Sequence, residues 1–321
     1  MSRFALAAAA AISSLILFSG VASAQQAATY PNKPVRIIVP GAPGGLSDSL
    51  ARLVSEPLGA ALGQPVVLDN KTGADGTVAV QFSKGHNDGY TLLYHYTAYN
   101  QNLVFRQGMP YTPADFIPVA QIAVSGTALL VSASLGVNTL AEFVKLVKAS
   151  PKKYAYGTAG ITGQIAMEFL AKAEGLDIAN APYKGEAPGV TDLVGGQITA
   201  FSGGSLGSPF VTSGRAKALA VASDTRSTLA PNVPTYAESG YPDLVLPSWT
   251  GIFVPAGTPP EVVRRLSDEI TRIVRDPEIA KKIVGFGAQA APRGSAEFSS
   301  FLEQDLTRWK KAATVTGVKM P

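Results

Sequence analysis

Val39-Pro40-Gly41-Ala42-Pro43-Gly44-Gly45-Leu46-Ser47-Asp48 is the stretch whose reading decides the fold. The β-branched run Val35 to Val39 reads as a buried strand ended by proline. Beyond the loop, Leu50, Leu53, Val54, Leu58 and Leu62 recur at helical spacing, so a helix starts near Ser47, and Pro57 is expected to kink or split it. Strand, glycine loop and helix open an α/β layer. Such a loop exposes backbone N–H groups at the positive end of a helix, which suits a carboxylate or another anion.

Downstream, Val66 to Leu68 reads as a second strand, Thr77 to Ser83 as a short helix and Tyr90 to Tyr96 as a third strand. Alternating strands and helices imply a parallel sheet with its ligand loops at the carboxyl edge. Val119 to Val124 and Thr127 to Ser132 then carry the chain into a second lobe. There the pattern restarts: a helix from Thr139 through Lys148, a strand at Tyr154 to Tyr156, a glycine loop at Gly157 to Gly163 and a helix through Ala173. A helix at Gly189 to Leu193 and strands at Ile198 to Phe201 and Ala216 to Ala222 complete this unit. Ser248 to Val254 returns the chain to the first lobe. Two helices, starting at Pro259-Pro260 and near Ala296, carry apolar residues at core spacing and are expected to pack on that lobe. The reading is a 1–24 leader, one lobe from 30–126 plus 249–321, and a second from 127–248, with a cleft between them.

Residues 1–24 hold Arg3, an apolar run from Phe4 to Phe18, and Ala22-Ser23-Ala24, the pattern of a secretory signal peptide cleaved after Ala24. With no cysteine there is neither a lipid attachment site nor a disulfide framework. The formal net charge of +4, less Arg3, leaves a mildly basic surface without clustered Lys/Arg runs, so nucleic acid is not an expected partner.

Gly203-Gly204-Ser205-Leu206-Gly207 matches the G-x-S-x-G elbow of serine hydrolases. Pro209 and a Thr212-Ser213-Gly214 turn stand where the following helix belongs, and both histidines, His86 and His95, precede Ser205. The two histidines and missing cysteines argue against zinc or iron, and the first loop lacks the P-loop and dinucleotide fingerprints. Neither a metal nor a cofactor is expected. What remains is anion binding by backbone and hydroxyl groups: Gly41 to Asp48 with Ser47 Oγ, and Gly157 to Gly163 with Thr158 and Thr162. Neither loop contains Arg or Lys. Asp48 is expected to cap backbone N–H groups and not to meet a bound carboxylate. Tyr94, Tyr96 and Tyr99 either line the cleft or pack in the core, and His95 is read as structural.

A wider set of motifs resembles one family, the periplasmic receptors of tripartite tricarboxylate transporters, also called Bug or TctC. The motifs run from Tyr30-Pro31-Asn32-Lys33-Pro34 through Pro43-Gly44-Gly45, Gly73-Ala74-Asp75-Gly76 and Asp88-Gly89-Tyr90-Thr91-Leu92-Leu93. Pro182-Tyr183-Lys184-Gly185, Thr191 to Gln197 and Pro255-Ala256-Gly257-Thr258-Pro259 continue them. The resemblance implies a two-lobed α/β Venus-flytrap fold of the type II kind, each lobe a mixed sheet flanked by helices. It implies a monomeric receptor, not an enzyme, that grips an organic acid and delivers it to integral-membrane subunits; some relatives report to a sensor kinase instead. The expected ligand set is Gly41, Ala42, Pro43, Gly44, Gly45, Leu46, Ser47, Asp48, Ala74, Tyr96, Thr97, Thr158, Ala159, Gly160, Thr162, Gly163, Phe201 and Ser202. Gly41 stands where relatives often have Phe, and the second loop lacks a common histidine. Those departures, with the tyrosines, lean toward an aromatic or longer mono- or dicarboxylate.

Overall fold

Two mixed sheets built on one plan hold the molecule together, as described for residues 30–319 of a computed structural model. The first combines β1 (Val35–Val39), β2 (Val66–Asn70), β3 (Thr91–Tyr96), β4 (Phe116–Ser125), β10 (Ser248–Pro255) and β11 (Gln289–Ala290), in the order β11-β4-β10-β3-β1-β2. The second combines β5 (Thr127–Ser132), β6 (Ala155–Thr158), β7 (Ala179–Pro182), β8 (Ala200–Gly204) and β9 (Ala216–Ala222), ordered β7-β6-β8-β5-β9. In each, a parallel trio is extended by antiparallel strands: β1 lies between β2 and β3, and β6 between β7 and β8. The loops after β1 and β6, which carry the glycines, therefore leave equivalent central strands. The signal-peptide reading lies outside the described residues.

The flanking helices are α1 (Leu46–Leu62), α2 (Thr77–Ser83), α3 (Ala98–Phe105), α4 (Leu140–Lys148), α5 (Ile161–Glu174), α6 (Glu186–Val194), α7 (Pro209–Thr212), α8 (Pro260–Arg275), α9 (Pro277–Gly285) and α10 (Ser295–Thr316). Pro57 does not split α1, which runs as one helix through it. A proline removes only its own backbone donor, and Leu50, Ala51, Val54, Leu58 and Leu62 bury the face that holds this helix in place.

Two expectations need correction. The strand placed at 198–201 lies at Ala200–Gly204, because Gly204 pairs with Ala128 and leaves no room for a side chain: a Cβ there would sit 2.4 Å from Leu130 Cδ1. The last helix also does more than close the first sheet. Its early residues Phe298, Phe301 and Leu302 join Trp249 and Phe253, whereas Trp309 and Ala312 join Phe143, Tyr156 and Leu170 against the second sheet. A helix of 22 residues spans about 33 Å, enough to cover both. Elsewhere the chain passes from sheet to sheet at Gly126, where a Cβ would lie 2.2 Å from Val221 Cγ2.

Candidate functional site

A cavity of about 610 Å³ opens between the sheets, and three helices begin on it. Leu46 and Ser47 come from the start of α1, Thr97 and Ala98 from α3, and Gly160, Ile161, Thr162 and Gly163 from α5. None of these ends has a side-chain cap. The N-cap residues Gly45 and Gly160 carry no side chain, and the Thr97 hydroxyl instead accepts the Trp249 N–H at 2.8 Å. Apart from Asn100, whose N–H donates to the Thr97 carbonyl at 3.2 Å, the first-turn amides at these ends take no side-chain partner and are open to a ligand.

Helix ends, and not cationic side chains, supply the positive potential at the cavity. Among the described residues no Lys or Arg lines the cavity, and its one charged side chain, Asp75, is ion-paired with Arg106. Ala74 and Asp75 hold positive φ of 46° and 48°, unusual for residues with a Cβ, and the Asp75 carbonyl accepts from the Asn102 amide at 3.1 Å. The lobes also touch across the site, where Gln101 Nε2 on α3 donates to Thr162 Oγ1 on α5 at 2.8 Å.

Of the residues expected from sequence, Leu46, Ser47, Tyr96, Thr97, Ala159, Gly160, Thr162 and Gly163 line the cavity. Gly41, Ala42, Pro43, Gly44 and Gly45 form the turn leading into α1 but are not on the cavity wall. Asp48 pins that turn from behind: Gly44 N–H donates to Oδ2 at 3.0 Å, and Asn70 Nδ2 donates to Oδ1 at 3.1 Å. Burial opposes its charge, but Gly44, Asn70 and Arg52 outweigh burial and hold the carboxyl below its usual range.

Ala74, Thr158, Phe201 and Ser202 support the site without lining it. Phe201 is fully buried beside Val190 and Leu193. Ser202 Oγ donates to the Gly163 carbonyl at 2.7 Å, and a Cβ on Gly163 would fall 2.1 Å from the Ser202 carbonyl oxygen, so glycine lets α5 start flush against β8. Thr158 Oγ1 donates to Asn180 Oδ1 at 3.1 Å.

The tyrosines divide. Tyr96 is half-buried on the cavity and Tyr94 is buried at its edge, while Tyr99 stacks on Phe253 with ring centroids 4.9 Å apart, inside the core. His95 is fully buried, takes the Tyr96 N–H on Nδ1 at 2.9 Å, and is pushed down to about 4 by burial.

Sequence reasoning missed Gln101, Asn102, Ser125, Thr127, Trp249, Thr250 and the turn Phe286-Gly287-Ala288, all of which line the cavity. They arrive from three antiparallel strands (β4, β5 and β10), a helix flank and a turn that only the tertiary arrangement brings there. The advance signals were the two crossings between lobes, at Val119 to Ser132 and at Ser248 to Val254.

Ser205 has no catalytic surroundings. Its Oγ accepts the Gly207 N–H at 3.1 Å, its N–H donates to Glu186 at 2.8 Å, and the one-turn helix α7 follows where an elbow needs a full helix. His95 lies in the other sheet.

Comparison with known proteins agrees with this fold. The chain matches the Tripartite tricarboxylate transporter family receptor, TctC, over residues 50–317. It is 31% identical to Protein BugT of Bordetella pertussis over 97% of this chain and 98% of that protein. Among solved structures it resembles R. palustris Rpa4515 with adipate, with TM-score 0.75, 30% identity, and 90% and 99% of the two chains covered. MatC from Rhodopseudomonas palustris, solved with bound malate, follows at TM-score 0.69 and 26% identity, with 88% and 99% covered. The chain belongs to the TctC family of tripartite tricarboxylate transporter receptors, which are periplasmic solute-binding proteins and not enzymes.

Proposed function

We propose that this receptor captures an organic acid in the cavity between its sheets, grips the carboxylate with backbone amides, and delivers it to the membrane subunits of a tripartite tricarboxylate transporter. The observation that carries the reading is the meeting of three uncapped helix starts on a cavity with no cationic side chain among its described lining residues. Helix dipoles contribute about 0.3–1 kcal/mol each at an exposed end. Micromolar affinity needs about 8 kcal/mol. The larger share therefore comes from amide hydrogen bonds to the charged oxygens, about 1.5–3 kcal/mol apiece, and from burying the ligand's apolar body.

Leu46, Leu50, Val124, Tyr96, Trp249 and Phe286 supply apolar and aromatic wall for that body. Together with adipate and malate in the two R. palustris proteins, this supports a mono- or dicarboxylate with a carbon skeleton longer than the smallest acids, aromatic acids included. The test is a thermal-shift screen of aliphatic mono- and dicarboxylates and aromatic acids, followed by calorimetry on Ala159→Trp, which fills the cavity from the second lobe. Gly44 and Gly160 are poorer targets, since their φ of 79° and 92° strains any substitution. A melting rise with at least one acid, lost in Ala159→Trp while the circular dichroism is unchanged, is the expected result. No response to any acid rejects the reading, and undiminished affinity in the variant rejects the site.

A further inference from the structure

Behind the cavity wall sits a carboxyl group that ligand capture leaves without a role. Asp305, midway along α10, has no solvent exposure. Its Oδ2 accepts the Asn100 side-chain amide and the Trp249 indole N–H, both at 2.9 Å, and Oδ1 accepts the Trp309 indole N–H at 3.1 Å. These are the chain's two tryptophans. They belong to different cores, Trp249 beside the first sheet and Trp309 against the second.

Trp249 reaches the cavity and Trp309 the second core, while Asn100 connects to both through its neighbour Gln101. Trp249 lines the cavity, and its backbone pairs with Thr97, giving its N–H to Oγ1 at 2.8 Å and accepting the Thr97 N–H at 3.1 Å. Asn100 precedes Gln101, which crosses to Thr162. We propose that Asp305 is a positioning residue for the cleft, one carboxylate that holds the wall at Trp249, the cavity-facing start of α3 and the second core at Trp309 in a single arrangement. The proposal rests on reading the cavity as the ligand site.

The chemistry of the donors explains how the charge matters. An ionised carboxylate only accepts, so three N–H donors suit it; protonation leaves acceptor capacity on both oxygens but removes the charge that strengthens all three bonds. Burial pushes the Asp305 carboxyl up to about 6, against the pull of Trp249, Asn100, Arg308 and Trp309. Asn100 faces it from α3, Trp249 from β10, and Trp309 and Arg308 from its own helix. Among the described residues Arg308 is the one charge acting on it, and Arg308 is itself ion-paired with Asp224 at 2.7 Å. The three bonds to the carboxyl are therefore strongest at neutral pH and weaker in mild acid, where the cost of burying the charge is also relieved.

Tryptophan emission reads this directly, because every tryptophan in the chain donates to the same group. The full-length chain is excited where tyrosine does not absorb and followed from acid to neutral pH. The expected trace has one step with a midpoint near 6. Asp305→Asn abolishes the step with the circular dichroism unchanged. Trp309→Phe leaves Trp249 as sole reporter and moves the midpoint upward, since the ionised form has lost a donor. Asn100→Ala moves it the same way, and these two variants carry the test should Asp305→Asn fail to fold. Absence of a step in the native chain, an identical step in Asp305→Asn, or an unmoved midpoint in Trp309→Phe and Asn100→Ala overturns the proposal. The readout needs no ligand, so its failure removes the role of Asp305 and leaves the acid screen to judge capture separately.

Discussion

Gly163 shows how much one missing side chain can decide. An added Cβ would meet the Ser202 carbonyl oxygen at 2.1 Å, a backbone atom that cannot swing aside, so α5 would have to back away from β8 and carry Thr162 with it. Gly163→Ala is expected to cost about 1–3 kcal/mol, read as a lower melting temperature, and to weaken acid binding. Gly185→Ala makes the control: its φ of 167° is extended backbone and nothing lies within 4 Å, so its change should stay within about 0.5 kcal/mol. Equal effects at the two glycines would remove the close approach as the cause. Asp48 is the complementary case, a charged residue beside the proposed anion site that nonetheless belongs there, because its oxygens are occupied by Gly44, Asn70 and Arg52.

At the level of elements, the site depends on where helices begin. α1 and α5 leave the middle strands of the two parallel trios, so their starts face one gap, and α3 brings Gln101 to bridge it. Gln101→Leu removes the bond to Thr162 and is expected to cost the closed arrangement about 0.5–1.5 kcal/mol, a shift toward open forms of roughly tenfold at most. Small-angle scattering of the ligand-free protein should show a larger radius of gyration for this variant. An unchanged profile together with unchanged acid affinity would mean that the bond does not hold the lobes. α10 cannot be assigned to either half on packing grounds, since Phe298 and Trp309 sit in different cores along one helix.

For the whole molecule, the buried carboxyl sets an unusual pH profile. Asp305 stands at about 6 against an ordinary 3.8, so its contribution is fully present below the ordinary value and is lost as pH rises through 6, an offset worth about 3 kcal/mol. Asp48, Asp115, Glu174 and Glu238 are held low, so their contributions vanish only as pH falls further. Calorimetric melting should therefore rise on mild acidification before falling in stronger acid, and Asp305→Asn should flatten the rise; a steady decline from neutral pH would contradict this. The family was legible through the resemblance its ordered motifs carry, and the α/β class, both glycine loops and the edges of most strands because they rest on local signals: β-branched runs, helical spacing, glycine where backbone turns. The alternation of strands even announced that the second half repeats the first. Contacts made at long sequence separation were not legible. Trp249, Thr250 and Phe286 reach the cavity from an antiparallel strand and a turn, Phe201 and Tyr99 turn into cores, and Asp305 gathers Trp249 from 56 residues away and Asn100 from 205. Local periodicity tells which face of an element is apolar, but only packing decides what that face meets.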